Sequence, residues 1–231
     1  MMRNLLKFKQ VTSTQDVLKR FVKNKKEIAA FAYIQTRGRG RHKREWVSPP
    51  GGIYLSILMF PLRQINTIPL IAALAVIECL KDFNFENLSI HWPNDVRLNN
   101  KKVCGILCEK IDDAVICGIG LNANIKKFPV RLSNATSLFA ETGKIYDLDK
   151  ILDGILKIFW ELYDKLQADK FKFAEIYHYV SGVGESVEVK LSSKETIKGI
   201  IHNIDEDWSL LLRTEDGFIR KIYYGDVIRL S

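Results

Sequence analysis

No two cysteines in this chain stand at C-x-x-C spacing. Cys79, Cys104, Cys108 and Cys117 each lie in an apolar run, which argues against a disulfide framework or a zinc site and for buried free thiols in a reducing compartment. A secretory leader is also missing, since the start alternates lysine with apolar residues (Leu6-Lys7-Phe8-Lys9) and has no apolar core. The apolar stretch from Ile68 to Ile77 falls far short of the roughly 20 residues a membrane span needs. Internal repeats, low-complexity segments and a dedicated cluster of metal ligands are absent as well. The expectation is a soluble, cytoplasmic protein with no membrane partner and no resident metal.

What is present is an ordinary globular composition, 47% hydrophobic and 27% charged over 231 residues, enough for one large domain or a moderate one plus a small one. The net charge of +8 is unevenly spread. Residues 1–46 hold 13 Lys/Arg against 3 Asp/Glu, residues 47–180 hold 15 of each, and residues 181–231 hold 7 against 9. A positive field confined to one segment steers anions such as nucleotides or acidic proteins. A general nucleic-acid binder spreads its charge over a longer surface.

Thr12-Ser13-Thr14 offers N-cap oxygens to a helix expected to run to Lys25. Ala29 to Gln35 and Ile53 to Phe60 read as strands. Asn66-Thr67 opens a helix to Phe83 that is apolar nearly all round and therefore central. Residues 88–121 read as a strand meander containing a hairpin at Asn99-Asn100-Lys101. A short helix is expected over Ser137 to Thr142. Ile151, Leu152, Ile155, Phe159, Leu162 and Leu166 follow at helical period from Leu148 to Ala168. After the Ser181-Gly182-Val183-Gly184 linker come five short β-rich runs, ending with Val227 to Leu230 and separated by turns such as Ser192-Ser193-Lys194. They suggest a small SH3-like barrel.

Four stretches bear on chemistry. The loop Thr36-Arg37-Gly38-Arg39-Gly40-Arg41-His42-Lys43-Arg44-Glu45-Trp46 crowds arginines between glycines. Glycines let the backbone approach a ligand, and arginine forks match phosphate or carboxylate oxygens. Like charges so close repel, so the loop is expected to be hard to hold still until an anion neutralises it, as a lid would be. Thr12-Ser13-Thr14-Gln15 sits at a helix start, where hydroxyls hold either a cap or a polar ring. His91-Trp92-Pro93-Asn94-Asp95 ends a strand, as a plain turn or as a rigid pair of polar groups. Lys101-Lys102-Val103-Cys104-Gly105-Ile106-Leu107 carries either two solvated lysines or one ammonium aimed inward, with Gly105 leaving room for a flat ligand.

Together and in this order, these stretches resemble the biotin–protein ligases. The family's G-R-G-R-x-G-R-x-W appears as Gly38-Arg39-Gly40-Arg41-His42-Lys43-Arg44-Glu45-Trp46, and its K-W-P-N-D as His91-Trp92-Pro93-Asn94-Asp95. Its K-x-x-G-I-L appears as Lys102-Val103-Cys104-Gly105-Ile106-Leu107, and its G-I-G-x-N as Gly118-Ile119-Gly120-Leu121-Asn122. Lys43 stands where the family has a third loop glycine, and His91 where it has lysine.

The resemblance implies an α+β fold: a class II synthetase-like mixed sheet with packed helices over residues 1–180, and a small SH3-like β-barrel over 181–231. It implies an ATP-dependent ligase that makes biotinyl-5′-AMP and passes biotin to a lysine of the biotin carboxyl carrier protein of acetyl-CoA carboxylase, with Mg²⁺ accompanying ATP. Lys102, Arg41 and Asp95 are the implied catalytic residues. Biotin is implied to meet Ser13, Thr14, Gln15, Gln35, Arg39, Gly40, Arg41, Lys102 and Gly105. The nucleotide is implied to meet Arg39, Arg41, Arg44, Trp46, Asn94, Lys102 and Asn122. Some family members add an N-terminal DNA-binding domain of roughly sixty residues. Its absence here gives the expectation of a monofunctional ligase with no DNA partner, and a homodimer is allowed. A lipoate or octanoate ligase or transferase of the same superfamily is the nearest alternative, and a nucleic-acid-binding module the remote one.

Overall fold

The computed structural model describes residues 3–61, 64–191 and 195–229. The first sheet has seven strands: β1 (Asn4–Phe8), β2 (Ile28–Ala32), β3 (Ile53–Met59), β4 (Leu88–His91), β5 (Asp95–Leu98), β6 (Lys101–Ile111) and β7 (Ala114–Leu121). They lie in the order β1-β2-β3-β7-β6-β5-β4. Only β1 and β2 pair in parallel, and the crossover this requires is supplied by α1 (Thr14–Lys19). The remaining pairings are antiparallel, so the sheet is mixed and the fold is α+β.

The helix after Thr12 is shorter than its pattern predicts. It stops at Lys19, and one 3-10 turn over Val22–Asn24 ends with Lys25 in left-handed conformation. Leu18 and Val22 are buried against Ile28, Ala30, Leu58, Ala114 and Ile116. The chain must then turn back at once to enter β2, which a longer helix would prevent. The strand read as running to Gln35 ends at Ala32, with one isolated bridge from Val11 to Gln35.

Helix α2 (Ile68–Asp82) is buried almost all round, as its composition requires, and packs with α4 (Leu148–Gln167) on one face of the sheet. Asp147 caps α4 by accepting from the backbone N–H groups of Asp149 and Lys150. Between them α3 (Leu138–Thr142) is capped by Ser137 Oγ, 2.9 Å from the Ala140 nitrogen. The β5–β6 hairpin turns through Asn99 and Asn100, both at positive φ, as two-residue hairpin turns demand.

A second, five-stranded antiparallel sheet holds β8 (Ser186–Lys190), β9 (Thr196–Ile204), β10 (Leu210–Arg213), β11 (Ile219–Ile222) and β12 (Asp226–Arg229), in the order β11-β10-β9-β8-β12. This is the small SH3-like unit. The Ser192-Ser193-Lys194 turn and Leu230 lie outside the described residues. Two tryptophans join the units reciprocally. Trp92 Nε1 donates to Trp208 O at 2.8 Å, and Trp208 Nε1 donates to Pro93 O at 2.8 Å. No helix among the described residues is long and apolar enough to cross a membrane.

Candidate active site

Strand alternation divides the sheet. One face of β7 sends Val115, Cys117, Ile119 and Leu121 into the core beneath α2. The other presents Gly118 and Gly120. Register places Ser56 and Leu107 beside Gly118, and Tyr54 and Gly105 beside Gly120. On this face lies a cavity of about 310 Å³. Every residue that the resemblance implies for catalysis, biotin or nucleotide lines it: Ser13, Thr14, Gln15, Gln35, Arg39, Gly40, Arg41, Arg44, Trp46, Asn94, Asp95, Lys102, Gly105 and Asn122.

Its floor is flat because glycines carry no Cβ. Trp46 lies on it: a Cβ at Gly120 would stand 2.5 Å from Trp46 Cε2, and one at Gly105 2.8 Å from Trp46 Cζ3. The room expected at Gly105 is thus filled by the basic loop's own indole. Among the described residues, Trp46 Nε1 and Arg39 Nε are buried and find no hydrogen-bond partner, and such donors in a cavity suit an acceptor-bearing ligand. Lys102 Nζ sits 5.3 Å from the Trp46 ring and 2.7 Å from Asp95 Oδ1. The lysine is therefore aimed into the cavity, with its side chain partly exposed.

At the opposite end the helix start is held in an unexpected way. Ser13 makes no side-chain cap. Instead Gln35 Oε1 accepts from the Thr14 backbone N–H at 2.9 Å and from Thr14 Oγ1 at 3.1 Å, while Gln35 Nε2 donates to Ser48 Oγ at 3.1 Å. Thr14 Oγ1 also lies 2.7 Å from Ser56 Oγ. Gln15 Nε2 donates to Leu107 O at 3.0 Å, its side chain resting over Gly118. These amides and hydroxyls form a small polar end to the cavity.

The basic loop is not left to repel itself. Arg39 donates to Asp16 (2.7 Å) and Glu109 (2.9 Å). Arg41 reaches Asp226 Oδ1 (3.1 Å), Gly225 O (3.0 Å) and Asn94 Oδ1 (3.3 Å), and Arg44 reaches Asp226 Oδ2 (3.1 Å). Burial pulls the Arg41 guanidinium below its ordinary pKa, while Asp226 and then Asp95 oppose the shift. The expectation of a loop ordered only by an incoming anion is corrected to this extent: carboxylates of the chain itself already balance it. His42 and Lys43 both adopt positive φ, 53° and 58°. Lys43 is exposed and does not line the cavity.

Both ends of the Asn94 amide are engaged, the oxygen by Arg41 and Nδ2 by Ile106 O at 2.8 Å. Asn122 Nδ2 donates to Thr136 O at 3.0 Å. Among the described residues no group of three His, Cys, Asp or Glu could hold a metal ion. All four cysteines are free, and Cys79, Cys104 and Cys117 are buried.

Several lining residues were missed in the sequence. Tyr54 and Ser56 are polar positions alternating in an apolar strand, a period-2 signal that was available. Lys127, Phe128, Pro129, Leu132 and Ala135 form the wall after Asn122, and Asp226 comes from the second sheet. Nothing local marks them.

Comparison with known proteins agrees with this geometry. Residues 7–122 match the biotin/lipoate A/B protein ligase family, and residues 182–230 match the biotin protein ligase C terminal domain. The bifunctional ligase/repressor BirA of Bacillus spizizenii is 33% identical, over 92% of this chain and 72% of its own length. A biotin–[acetyl-CoA-carboxylase] ligase of Paracoccus denitrificans is 32% identical, over 81% of this chain and 84% of its own. Among solved structures, the biotin protein ligase from Aquifex aeolicus in complex with biotin and ATP superposes with a TM-score of 0.91 at 34% identity, covering 99% of this chain and 100% of that one. The chain belongs to the biotin/lipoate A/B protein ligase family. Its second match places it on the biotin protein ligase branch.

Proposed function

We propose that this site activates biotin with ATP as biotinyl-5′-AMP and transfers the biotinyl group to a lysine of the biotin carboxyl carrier protein of acetyl-CoA carboxylase. The observation that carries the reading is the convergence of Arg39, Arg41, Arg44 and Lys102 on one cavity whose far end, beside Gly118, is closed by the hydroxyls of Thr14 and Ser56 and the amides of Gln15 and Gln35. A compact polar ring system with an acyl tail suits that end, and a phosphate suits the cationic end.

In the first step an oxygen of the biotin carboxylate bonds to the α-phosphorus of ATP, and the bond from that phosphorus to pyrophosphate breaks. Lys102 neutralises two anions as they meet, and Arg41 and Arg39 hold the lid over them. Ser13, Thr14, Gln15 and Gln35 orient the ring, and Gly40 and Gly105 allow close approach. Arg44, Trp46, Asn94 and Asn122 frame the nucleotide, with Asn94 also fixing Arg41. In the second step the neutral amine of the carrier lysine attacks the acyl carbon and AMP leaves. Asp95, whose Oδ1 lies 2.7 Å from Lys102 Nζ, orients the amine and takes its proton. Magnesium enters bound to ATP as part of the substrate. We assign the ligase chemistry to residues 1–180 and the SH3-like unit to residues 181–231.

The test is mass spectrometry of a carrier domain incubated with the chain, MgATP and biotin, with lipoate or octanoate in parallel. A biotin-sized mass increase on one lysine, absent without ATP, is expected. Modification by lipoate or octanoate alone would overturn the reading.

A further inference from the structure

The lid is tied down from two directions. Arg39 is met by Asp16 and Glu109 of the first unit. Arg41 and Arg44 are both met by a single residue of the second, Asp226, 185 positions beyond Arg41. We propose that Asp226 is the positioning residue that holds Arg41 over the acyl-adenylate, so that retention of this reactive intermediate depends on the small β unit. The inference rests on the function proposed above.

Three features support it. Gly225 O and Asp226 Oδ1 accept from the two Nη atoms of Arg41. Two acceptors on one guanidinium fix its plane as well as its position. The other carboxylate oxygen takes Arg44, so one anion bridges two cations that would otherwise repel and lift the loop. The contact is partly shielded, with Arg41 21% and Asp226 33% exposed. It also lies at the cavity itself, which Asp226 lines.

The anchor is also stiff. Gly225 is buried, and a Cβ there would stand 2.7 Å from Val189 Cγ1. Asp226 opens β12 in register with Lys190 of β8. The bonds from Trp92 Nε1 to Trp208 O and from Trp208 Nε1 to Pro93 O pin this unit to the turn that carries Asn94 and Asp95. The lid and the Trp-Pro-Asn-Asp turn are therefore both held by the same five-stranded unit.

The experiment compares the 231-residue chain with Asp226→Asn, Asp226→Glu and Arg44→Gln. Pyrophosphate release, the dissociation rate of labelled biotinyl-AMP, labelling of a bystander protein and Tm are measured for each. Asp226→Asn removes the charge and is expected to speed adenylate dissociation about tenfold. Bystander labelling and KM for ATP should rise with it, while kcat for pyrophosphate release changes less than about threefold. Asp226→Glu is expected to recover most of the loss. Arg44→Gln, on an exposed side chain that the fold does not need, is expected to show a smaller rise of about threefold and serves if Asp226→Asn does not fold. A folded Asp226→Asn that holds the adenylate as the wild type does overturns this inference alone. If Asp226→Asn does not fold, unchanged dissociation in Arg44→Gln overturns it. A wild-type chain that forms no adenylate overturns the proposed function and this inference together.

Discussion

The seat of Trp46 makes a sharp prediction. Gly120→Ala adds one methyl group in ordinary extended backbone, where alanine carries no strain of its own. That methyl would stand 2.5 Å from Trp46 Cε2 and 3.0 Å from Cζ2, against an ordinary contact of about 3.5–4.0 Å. The indole must rise by about 1 Å, or the strand must yield. Gly120 lies between Tyr54 and Gly105 in the middle of the sheet, so the strand is the stiffer partner. The half-buried lid tryptophan moves instead. Overpacking costs about 1–3 kcal/mol, which is about 5- to 150-fold in a rate or binding constant. If the lid bears that cost, global stability changes little, because Gly→Ala removes freedom from the unfolded chain worth about 0.4–1 kcal/mol. Differential scanning fluorimetry should then give a Tm within about 4 °C of wild type. Pyrophosphate release with biotin and MgATP should lose about 5- to 150-fold in kcat/KM. Wild-type kcat/KM would refute the seat, and a collapse in Tm would show that Gly120 serves the sheet and not the lid. Gly118→Ala is the contrast, since the atom nearest its methyl is Gln15 Cδ, 3.1 Å away in a flexible side chain.

Lys102→Ala should abolish pyrophosphate release while leaving Tm near wild type, because its side chain is one-third exposed and its ion pair is with Asp95; near-normal release would refute its role. Lys43→Gly should tighten the lid. It relieves a left-handed residue that costs about 1–2 kcal/mol and removes a charge near Arg41 and Arg44, so adenylate dissociation should slow; faster dissociation would contradict this. Burial pushes the Cys79 thiol up to about 12 and raises Tyr54 and Cys104 as well. These groups are folded in neutral form, so the unfolded chain loses their protons first. Their stabilisation is whole below pH 9 and drains away as pH climbs from there toward 12. The denaturation midpoint should fall between pH 8 and pH 10.5, and a flat profile would contradict it.

Much of this architecture was legible because it rests on local pattern. The apolar surround of α2, the period of α4 and the Asn99-Asn100 turn are each decided by neighbours a few residues apart. The candidate site was legible as a set of residue types, since arginine, glycine and an inward lysine bring the same physics wherever they are placed. What could not be read was pairing across distance. Gln35 serves as the cap for Thr14, Trp46 fills the space above Gly105, and Asp226 balances a loop that charge counting alone would call unstable. Helix α1 ends early for a similar reason, because the return to β2 overrides a helical pattern that continues to Lys25.

The most direct measurement is a crystal structure of the chain grown with biotinyl-5′-AMP. The account predicts the 36–46 loop folded over the ligand, Lys102 Nζ within hydrogen-bonding distance of the acyl-phosphate, and Arg41 still on Asp226. A ligand bound with the loop turned out into solvent, or with Lys102 directed away from the phosphate, would contradict it.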